Sequence, residues 1–95
     1  MISETTIRKV RELAIEDILS PYVRLSRKGS TLMGLCPFHT EKTGSFAVTP
    51  GKNLFHCFSC NRGGDSITFI MEKENLSFSA AVEFIARNHN IPVEY

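Results

Sequence analysis

Cys36-Pro37-Phe38-His39 and Cys57-Phe58-Ser59-Cys60 are the two stretches that decide the fold. Each stretch carries two zinc-binding side chains separated by two residues, so a tight turn aims both of them at one ion. Zinc takes four such ligands in a tetrahedron, and two turns of this kind leave no open position for water or substrate. The sequence therefore predicts one structural zinc, whose ligands are Cys36, His39, Cys57 and Cys60.

The cysteine pair of the second stretch and the choice of the histidine ligand each have an alternative. Cys57 and Cys60 alone would also suit a disulfide or a thioredoxin-like redox pair. A redox C-x-x-C pair normally opens a helix in a βαβ unit, whereas this pair follows a strand-like run and has a second ligand pair upstream. His56 competes with His39, but its side chain should point to the opposite face of an extended segment from Cys57. His39 is therefore the predicted ligand.

The chain has 95 residues, which is enough for one small domain of marginal stability. Structural zinc contributes about 10–16 kcal/mol in small peptides, as much as the whole stability of a typical domain. The cysteine count is odd, at three, and the sequence has no apolar signal segment and no membrane-length apolar run. These features predict a cytoplasmic protein with reduced thiols and no membrane partner.

Basic residues concentrate in the zinc region, although the net charge of the whole chain is only +1. Most acids lie in the flanking helical segments, and between residues 24 and 62 the single acid is Glu41. This zinc region is therefore the part of the chain expected to contact a polyanion. The basic residues of this region are Arg24, Arg27, Lys28, Lys42, Lys52 and Arg62.

The periodicity of the chain predicts an α+β fold, in which a small antiparallel zinc ribbon is flanked by short helices at both ends. All of it fits in a single domain, residues 1–95. Residues 1–20 form the predicted helical lead-in, residues 22–60 the zinc ribbon and residues 65–90 two further helices. The ribbon is expected to contain three or four strands, with the metal at one end.

Alternating residues predict strands at 22–26, 31–35 and 45–49. Thr49-Pro50-Gly51-Lys52 is predicted to form a type II turn, because Pro occupies its second position and Gly its third. Asn61-Arg62-Gly63-Gly64 is predicted as a flexible exit from the ribbon.

Ser3, Asp65 and Ser77 are the predicted N-caps of helices. Residues 91–95 are expected to form either an extended linker or a final strand, and both alternatives stay open. Helical spacing predicts the residues that face the core in the last two helices. They are Ile67, Ile70 and Met71 in the first of the two, and Phe78, Ala81, Val82, Ile85 and Ala86 in the second.

A closed metal site on a basic sheet suggests recognition rather than catalysis. No serine, histidine and aspartate arrangement, no P-loop and no acidic metal cluster is present in the sequence. Single-stranded nucleic acid is bound by cations that follow its phosphates and by aromatic faces that stack on its bases. Phe46, Phe55 and Phe58 lie on or beside the ribbon strands, although a small domain also needs such rings in its core. The cations therefore support the prediction of nucleic-acid contact better than the rings do.

These motifs together resemble the N-terminal zinc-binding domain of bacterial replicative DNA primases. The resemblance covers nearly the whole chain. Gly44 stands where that family usually has Pro, and Asn61 stands where it usually has Gly. The motifs that carry the resemblance are the two ligand turns, Glu41-Lys42-Thr43 with Ser45-Phe46, Phe55-His56 before the second turn, and Gly63-Gly64-Asp65 after it.

The resemblance implies a zinc ribbon with one structural Zn²⁺ that selects initiation sites on a single-stranded DNA template. It also implies a role in the primosome, supporting RNA primer synthesis by a separate polymerase domain, with the replicative helicase as a further partner. The catalytic domain of a primase cannot fit in this chain, which alone is expected to be non-catalytic, whether as an excised domain or as a short free-standing protein. The implied template contacts are Lys42, Phe46, Lys52, Phe55 and Arg62, to which the Arg27-Lys28 turn adds two further cations.

The alternative function is a protein-interaction module in which zinc only holds the fold. Such a module would dock on a polymerase or helicase partner through its acidic helices, without direct DNA contact. The two functions differ in their response to salt, because phosphate contacts make affinity fall steeply as the salt concentration rises.

Overall fold

The computed structural model describes residues 1–39 and 44–95 of the chain. Short helices lie at both ends of a five-stranded antiparallel sheet, which confirms the α+β zinc ribbon expected from the sequence. In chain order the elements are α1 (Glu4–Glu12), α2 (Ile15–Leu19), β1 (Ser26–Lys28), β2 (Thr31–Gly34), β3 (Phe46–Thr49), β4 (Leu54–Cys57), β5 (Gly63–Gly64), α3 (Ser66–Glu74) and α4 (Phe78–Asn88).

The strands are neighbours in the order β1-β2-β3-β4-β5, and every neighbouring pair is antiparallel. Phe46 pairs with Cys57 in the register of β3 and β4, and these two buried side chains define the inner face of the sheet. Ala47 pairs with His56 on the opposite, outer face, because successive side chains of a strand point to opposite sides. The two faces therefore divide the core from the surface that carries His56.

The number and position of the strands differ from the expectation of three or four. β5 forms where a flexible exit was predicted, because Gly63 pairs with His56 and so adds an edge strand to β4. Two glycines carry no strand propensity, which is why the sequence did not reveal it. β1 begins at Ser26 rather than at Tyr22, since the N–H groups of Tyr22 and Val23 both donate to the carbonyl of Leu19 and extend the turn after α2.

All three predicted N-caps are confirmed. The side chains of Ser3, Asp65 and Ser77 each accept a hydrogen bond from the N–H three residues ahead, at 3.2, 2.9 and 3.2 Å. The predicted core stripe of α4 is confirmed except at Phe78, whose side chain is 38% exposed. Phe78 is the first residue of α4, so its ring lies beyond the point where the helix packs on the core.

A cluster of aromatic rings forms the centre of the core around Phe69 of α3, which is fully buried. The ring of Phe69 meets four others edge-on, with centroids 5.2–6.1 Å apart. Helical spacing predicted Ile67 and Ile70 correctly as buried residues of α3, but Met71 is only partly buried and Phe69 was not anticipated. The rings around Phe69 belong to Tyr22, Phe38, Phe46 and Phe55.

The β3–β4 loop does not form the predicted type II turn. Such a turn requires a positive φ at Gly51, whereas the positive φ of this loop, 57°, lies at Asn53. The N–H of Lys52 donates to the carbonyl of Thr49, and the N–H of Asn53 donates to that of Pro50, so two turns follow each other. The loop therefore contains two consecutive turns instead of the single predicted one.

The last five residues form no strand, but they do contact the first helix. The carbonyl of Glu94 accepts from the N–H of Ser3 at 2.8 Å, and its N–H donates to the hydroxyl of Thr6 at 3.0 Å. Within residues 1–39 and 44–95, no helix is long and apolar enough to cross a membrane.

Candidate metal centre

The four predicted ligands meet at one end of the sheet. Cys36 follows β2 and Cys57 ends β4, while His39 and Cys60 each lie three residues further along the chain. Their sulfur and imidazole donor atoms all lie within 4.8 Å of one another. The antiparallel sheet therefore brings the two ligand turns together, as the spacing of the motifs predicted.

The distances suit a zinc ion rather than a disulfide. The sulfur atoms of Cys36 and Cys60 are 3.8 Å apart. A tetrahedral ion with Zn–S bonds of about 2.3 Å separates its sulfur ligands by about 3.8 Å, whereas a disulfide needs about 2.05 Å. Cys36, Cys57 and Cys60 all lie within the described residues, and none of them forms a disulfide. The donor set of three thiolates and one imidazole fits one structural zinc.

The backbone shapes the second ligand turn. The N–H of Asn61 donates to the carbonyl of Cys57, and the N–H of Cys57 donates to that of Arg62, both at 2.8 Å. Asn61 closes this turn with φ at 61°, the left-handed conformation that Asn adopts more readily than most residues. Asn61 thus makes the left-handed turn at the position where the family that the chain resembles usually has Gly.

The two buried cysteines have opposite electrostatic environments. Burial raises the pKa of the Cys36 thiol to about 12. Burial acts in the same direction on Cys57, but the N–H groups of Cys60 and Ser59 point at its sulfur and, together with the thiols of Cys36 and Cys60, lower its pKa. Cys57 is therefore prepared to bind zinc as a thiolate, whereas Cys36 would have to release its proton to solvent when the ion binds.

Two residues that were not predicted to belong to the metal site, Ser45 and Lys73, support the ligand turns. The hydroxyl of Ser45 lies 3.8 Å from the sulfur of Cys57 and 2.5 Å from the hydroxyl of Ser59. The ammonium of Lys73 in α3 donates to the carbonyl of Pro37, inside the first ligand turn, at 3.2 Å. Lys73 lies far from the site in sequence, so no local signal connects it to the metal.

The predicted template contacts divide into two groups. The rings of Phe46 and Phe55 are 0% and 3% exposed and stack on each other in the core, with centroids 5.5 Å apart. Neither ring offers a face to a nucleic-acid base, so their prediction as contacts is corrected. The cations Arg27, Lys28, Lys52 and Arg62 are exposed, and Lys42 lies outside the described residues.

Phe58 is the aromatic residue of the ribbon that does reach the surface. It lies between the ligands Cys57 and Cys60, and its side chain is 67% exposed. Its ring meets the ring of His56 edge-on, with centroids 4.8 Å apart. His56 is not a ligand: its side chain lies on the outer face of the sheet, as its adjacency to Cys57 predicted.

Residues 2–95 match the family model of the CHC2 zinc finger. The chain belongs to the CHC2 zinc finger family. The DNA primase of Streptomyces coelicolor is 45% identical to this CHC2 zinc finger over 96 residues, which cover 99% of this chain and 15% of that protein. The DNA primase of Helicobacter pylori is 44% identical over 96 residues, or 100% of this chain and 17% of that protein.

A solved structure is also similar to this CHC2 zinc finger. The crystal structure of the zinc-binding and RNA polymerase domains of the Aquifex aeolicus primase superposes with a TM-score of 0.84 at 36% identity. The match covers 95% of this chain and 22% of that one. The resemblance to the primase zinc-binding domain and the single structural zinc are thereby confirmed, while the chain spans less than a fifth of the length of the two bacterial primases.

Proposed function

We propose that this CHC2 zinc finger recognises single-stranded DNA template for a DNA primase. In this role it helps a separate polymerase domain to begin an RNA primer. The observation that carries the proposal is the placement of exposed cations at both ends of a sheet whose metal site is closed. A closed site performs no chemistry on a substrate, so a binding role fits it best.

The direction of the strands locates these cations. The turns β1–β2 and β3–β4 lie at the same end of the antiparallel sheet, and the ligand turns lie at the other end. Lys28 and Lys52 are exposed at the first end, and Arg62 is exposed just after the second ligand turn. A single strand that follows the sheet would therefore meet a cation at each end of its path.

A groove beside β1 and β2 supports DNA binding on this part of the sheet. It has a volume of about 360 Å³ and is lined by the cations Arg24 and Lys28 and by the apolar side chains of Met33 and Leu35. Gly34 lets the chain before β1 approach β2 closely, because a Cβ at position 34 would lie 2.5 Å from the carbonyl oxygen of Arg24. This combination of cations and apolar surface suits phosphates and bases together.

Arg62 has a more constrained position than the two lysines. Its guanidinium lies 4.9 Å from the centroid of the Phe38 ring and 3.7 Å from a carboxylate oxygen of Glu72. Both contacts hold an exposed cation beside the ligand turns, and the ion pair at this exposure contributes little to stability. This exposed position supports a phosphate contact by Arg62, and giving up the ion pair with Glu72 for it would cost little folding energy.

The wider role proposed for the protein follows from its relatives. We infer that its partners are the polymerase domain of a primase and, within the primosome, the replicative helicase, and that it works in the cytoplasm. The alternative is a module that binds such a protein partner without touching DNA.

The test is an amide NMR titration of the zinc-loaded chain at low salt, with a short single strand and separately with a duplex. We expect shifts on the ribbon, from Arg24 to Arg62, that are larger with the single strand. The double variant of Lys28 and Lys52 to Ala should weaken them, while the matched control, Arg8 and Lys9 to Ala on α1, should not. Unchanged spectra with both DNAs would overturn template recognition and favour the protein-binding module.

A further inference from the structure

The outer face of β4 ends in an exposed aromatic pair. Leu54 and His56 point outward along this strand, and Phe58 continues the same alternation just beyond Cys57. Phe58 is the most exposed phenylalanine among the described residues, at 67%. A phenylalanine that is largely exposed contributes little to the core of a small domain, and its ring is accessible to a ligand.

The structure holds this ring in place. The N–H of Phe58 donates to the carbonyl of Ser45 at 3.0 Å, and the two ends of its ligand turn, Cys57 and Cys60, would be held by the zinc ion. His56 meets the Phe58 ring edge-on at an interplanar angle of 67°. The backbone of Phe58 therefore has little freedom, and its ring contacts a neighbouring ring.

Gly63 makes room for the second ring of the pair. A Cβ at position 63 would lie 3.0 Å from Nδ1 of His56 and 3.1 Å from the carbonyl oxygen of Phe55. The imidazole therefore lies over the backbone of β5, which a side chain at this position would prevent. His56 and Phe58 form a shelf on the outer face, beside the metal end of the sheet.

We propose that a base of a single-stranded nucleic acid stacks on the Phe58 side of this shelf, which makes Phe58 the aromatic contact that Phe46 and Phe55 cannot provide. The inference rests on the proposed template recognition and names its base-stacking site. Charge complementarity supports this occupant, because Met33 pairs with Ala47 and Ala47 pairs with His56, so that the groove with the cations Arg24 and Lys28 opens on the same outer face. Aromatic stacking accepts any base, whereas the cations bind the phosphates.

The chain offers a direct reporter of stacking, because it contains no tryptophan. Phe58→Trp places a single indole on the shelf, and stacking of a base on it should quench its fluorescence as a short single strand is added. Tyr95→Trp is the matched control, since Tyr95 is 72% exposed and follows Glu94, which bonds to the start of α1 rather than to the sheet. We expect strong quenching at position 58 and weak quenching at position 95.

Affinity measurements separate stacking from phosphate contact. Phe58→Ala should weaken binding of a single strand about tenfold or more, because a stacked base contributes strongly to such complexes. The salt dependence of log Kd should stay unchanged, since no phosphate contact is lost. The variant and the parent protein should have the same affinity for an abasic strand of equal length, because that strand has no base to stack on the ring.

The outcomes distinguish this inference from the function on which it rests. If the parent protein binds the single strand but Phe58→Ala binds equally well and position 58 shows no quenching, the stacking site is wrong and template recognition stands. If the parent protein does not bind the strand at all, both are overturned. Zinc content measured for every variant shows that the ligand turns are intact, which the exposure of the ring leads us to expect.

Discussion

The side-chain amide of Asn53 joins the β3–β4 loop to Ile15, the first residue of α2. Its oxygen accepts from the N–H of Ile15 at 2.9 Å, and its nitrogen donates to the carbonyls of Leu13 at 2.8 Å and Arg11 at 3.0 Å. These backbone groups lie where α1 ends and α2 begins, and the ends of helices leave such groups without partners in their own helix. One side chain therefore supplies the hydrogen bonds that the break between two helices requires.

Replacing Asn53 should destabilise the zinc-loaded protein. Asn53→Gly keeps the positive φ but removes all three side-chain bonds, which should lower the free energy of unfolding by about 1–3 kcal/mol. Asn53→Ala adds the cost of a left-handed alanine, about 1 kcal/mol more. Urea unfolding followed by circular dichroism measures both. Equal stability of Asn53→Gly and the parent protein would show that water replaces these bonds without loss.

Removing a zinc ligand should unfold the domain. Cys57→Ser leaves three ligands around the ion, and because zinc binding and folding are coupled, we expect loss of both metal and helical signal. Metal analysis and circular dichroism test this, and a chelator added to the parent protein should have the same effect. Phe58→Ala, which keeps all four ligands, is the control. A folded, zinc-free Cys57→Ser protein would contradict the structural role of the ion.

Tyr22 should make stability depend on alkaline pH. Burial and then the hydrogen bond from its hydroxyl to Glu74, at 2.7 Å, raise the pKa of Tyr22 from 10.0 to about 12. The folded state thus favours the protonated phenol, whose contribution is fully present below pH 10 and is lost as the pH rises towards 12. Between pH 8 and pH 11.5, the urea concentration at the midpoint of unfolding should therefore decrease more for the parent protein than for Tyr22→Phe.

Other groups that titrate in this range change both proteins equally. Tyr95 is one of them, because its hydrogen bond to Glu83 also raises its pKa. The comparison with Tyr22→Phe therefore isolates Tyr22. Parallel loss of stability in the two proteins would show that the bond to Glu74 does not affect folding.

The salt dependence of DNA binding should follow the cations of the sheet. Changing Lys28 and Lys52 to Ala removes two proposed phosphate contacts, which should flatten the slope of log affinity against log salt by about one to two units. Fluorescence anisotropy of a labelled single strand at several salt concentrations measures the slope. Changing Arg8 and Lys9 on α1 removes the same charge elsewhere, and an equal effect of both pairs would mean that only net charge matters.

The metal site could be predicted from the sequence because its information is local. Each ligand turn specifies two donor atoms within four residues. The N-caps Ser3, Asp65 and Ser77 could be recognised because Ser and Asp are residue types preferred at that position. The sheet was predicted less well, since β5 consists of two glycines that pair only because β4 is beside them. Strand pairing of this kind is a tertiary effect, which propensity does not contain.

The roles of single side chains were harder to predict than the elements. Phe46, Phe55 and Phe58 are the same residue type on the same hairpin, yet two are buried and one is exposed. Their difference follows from register, which places Phe46 opposite Cys57 and leaves Phe58 beyond the last pair. Asn53 was missed because its partners lie about forty residues earlier in the chain. Knowledge of the strand register would have been needed to separate the three rings.

The bond between Glu94 and Ser3 brings the two ends of the described chain side by side. A short peptide linker could therefore join residue 95 to residue 1 without disturbing the sheet. New ends could then be opened at Gly29 and Ser30, an exposed hairpin tip remote from the ligand turns. Such a circular permutant would keep every ligand and every core contact, while β1 and β2 would become separate ends of the molecule.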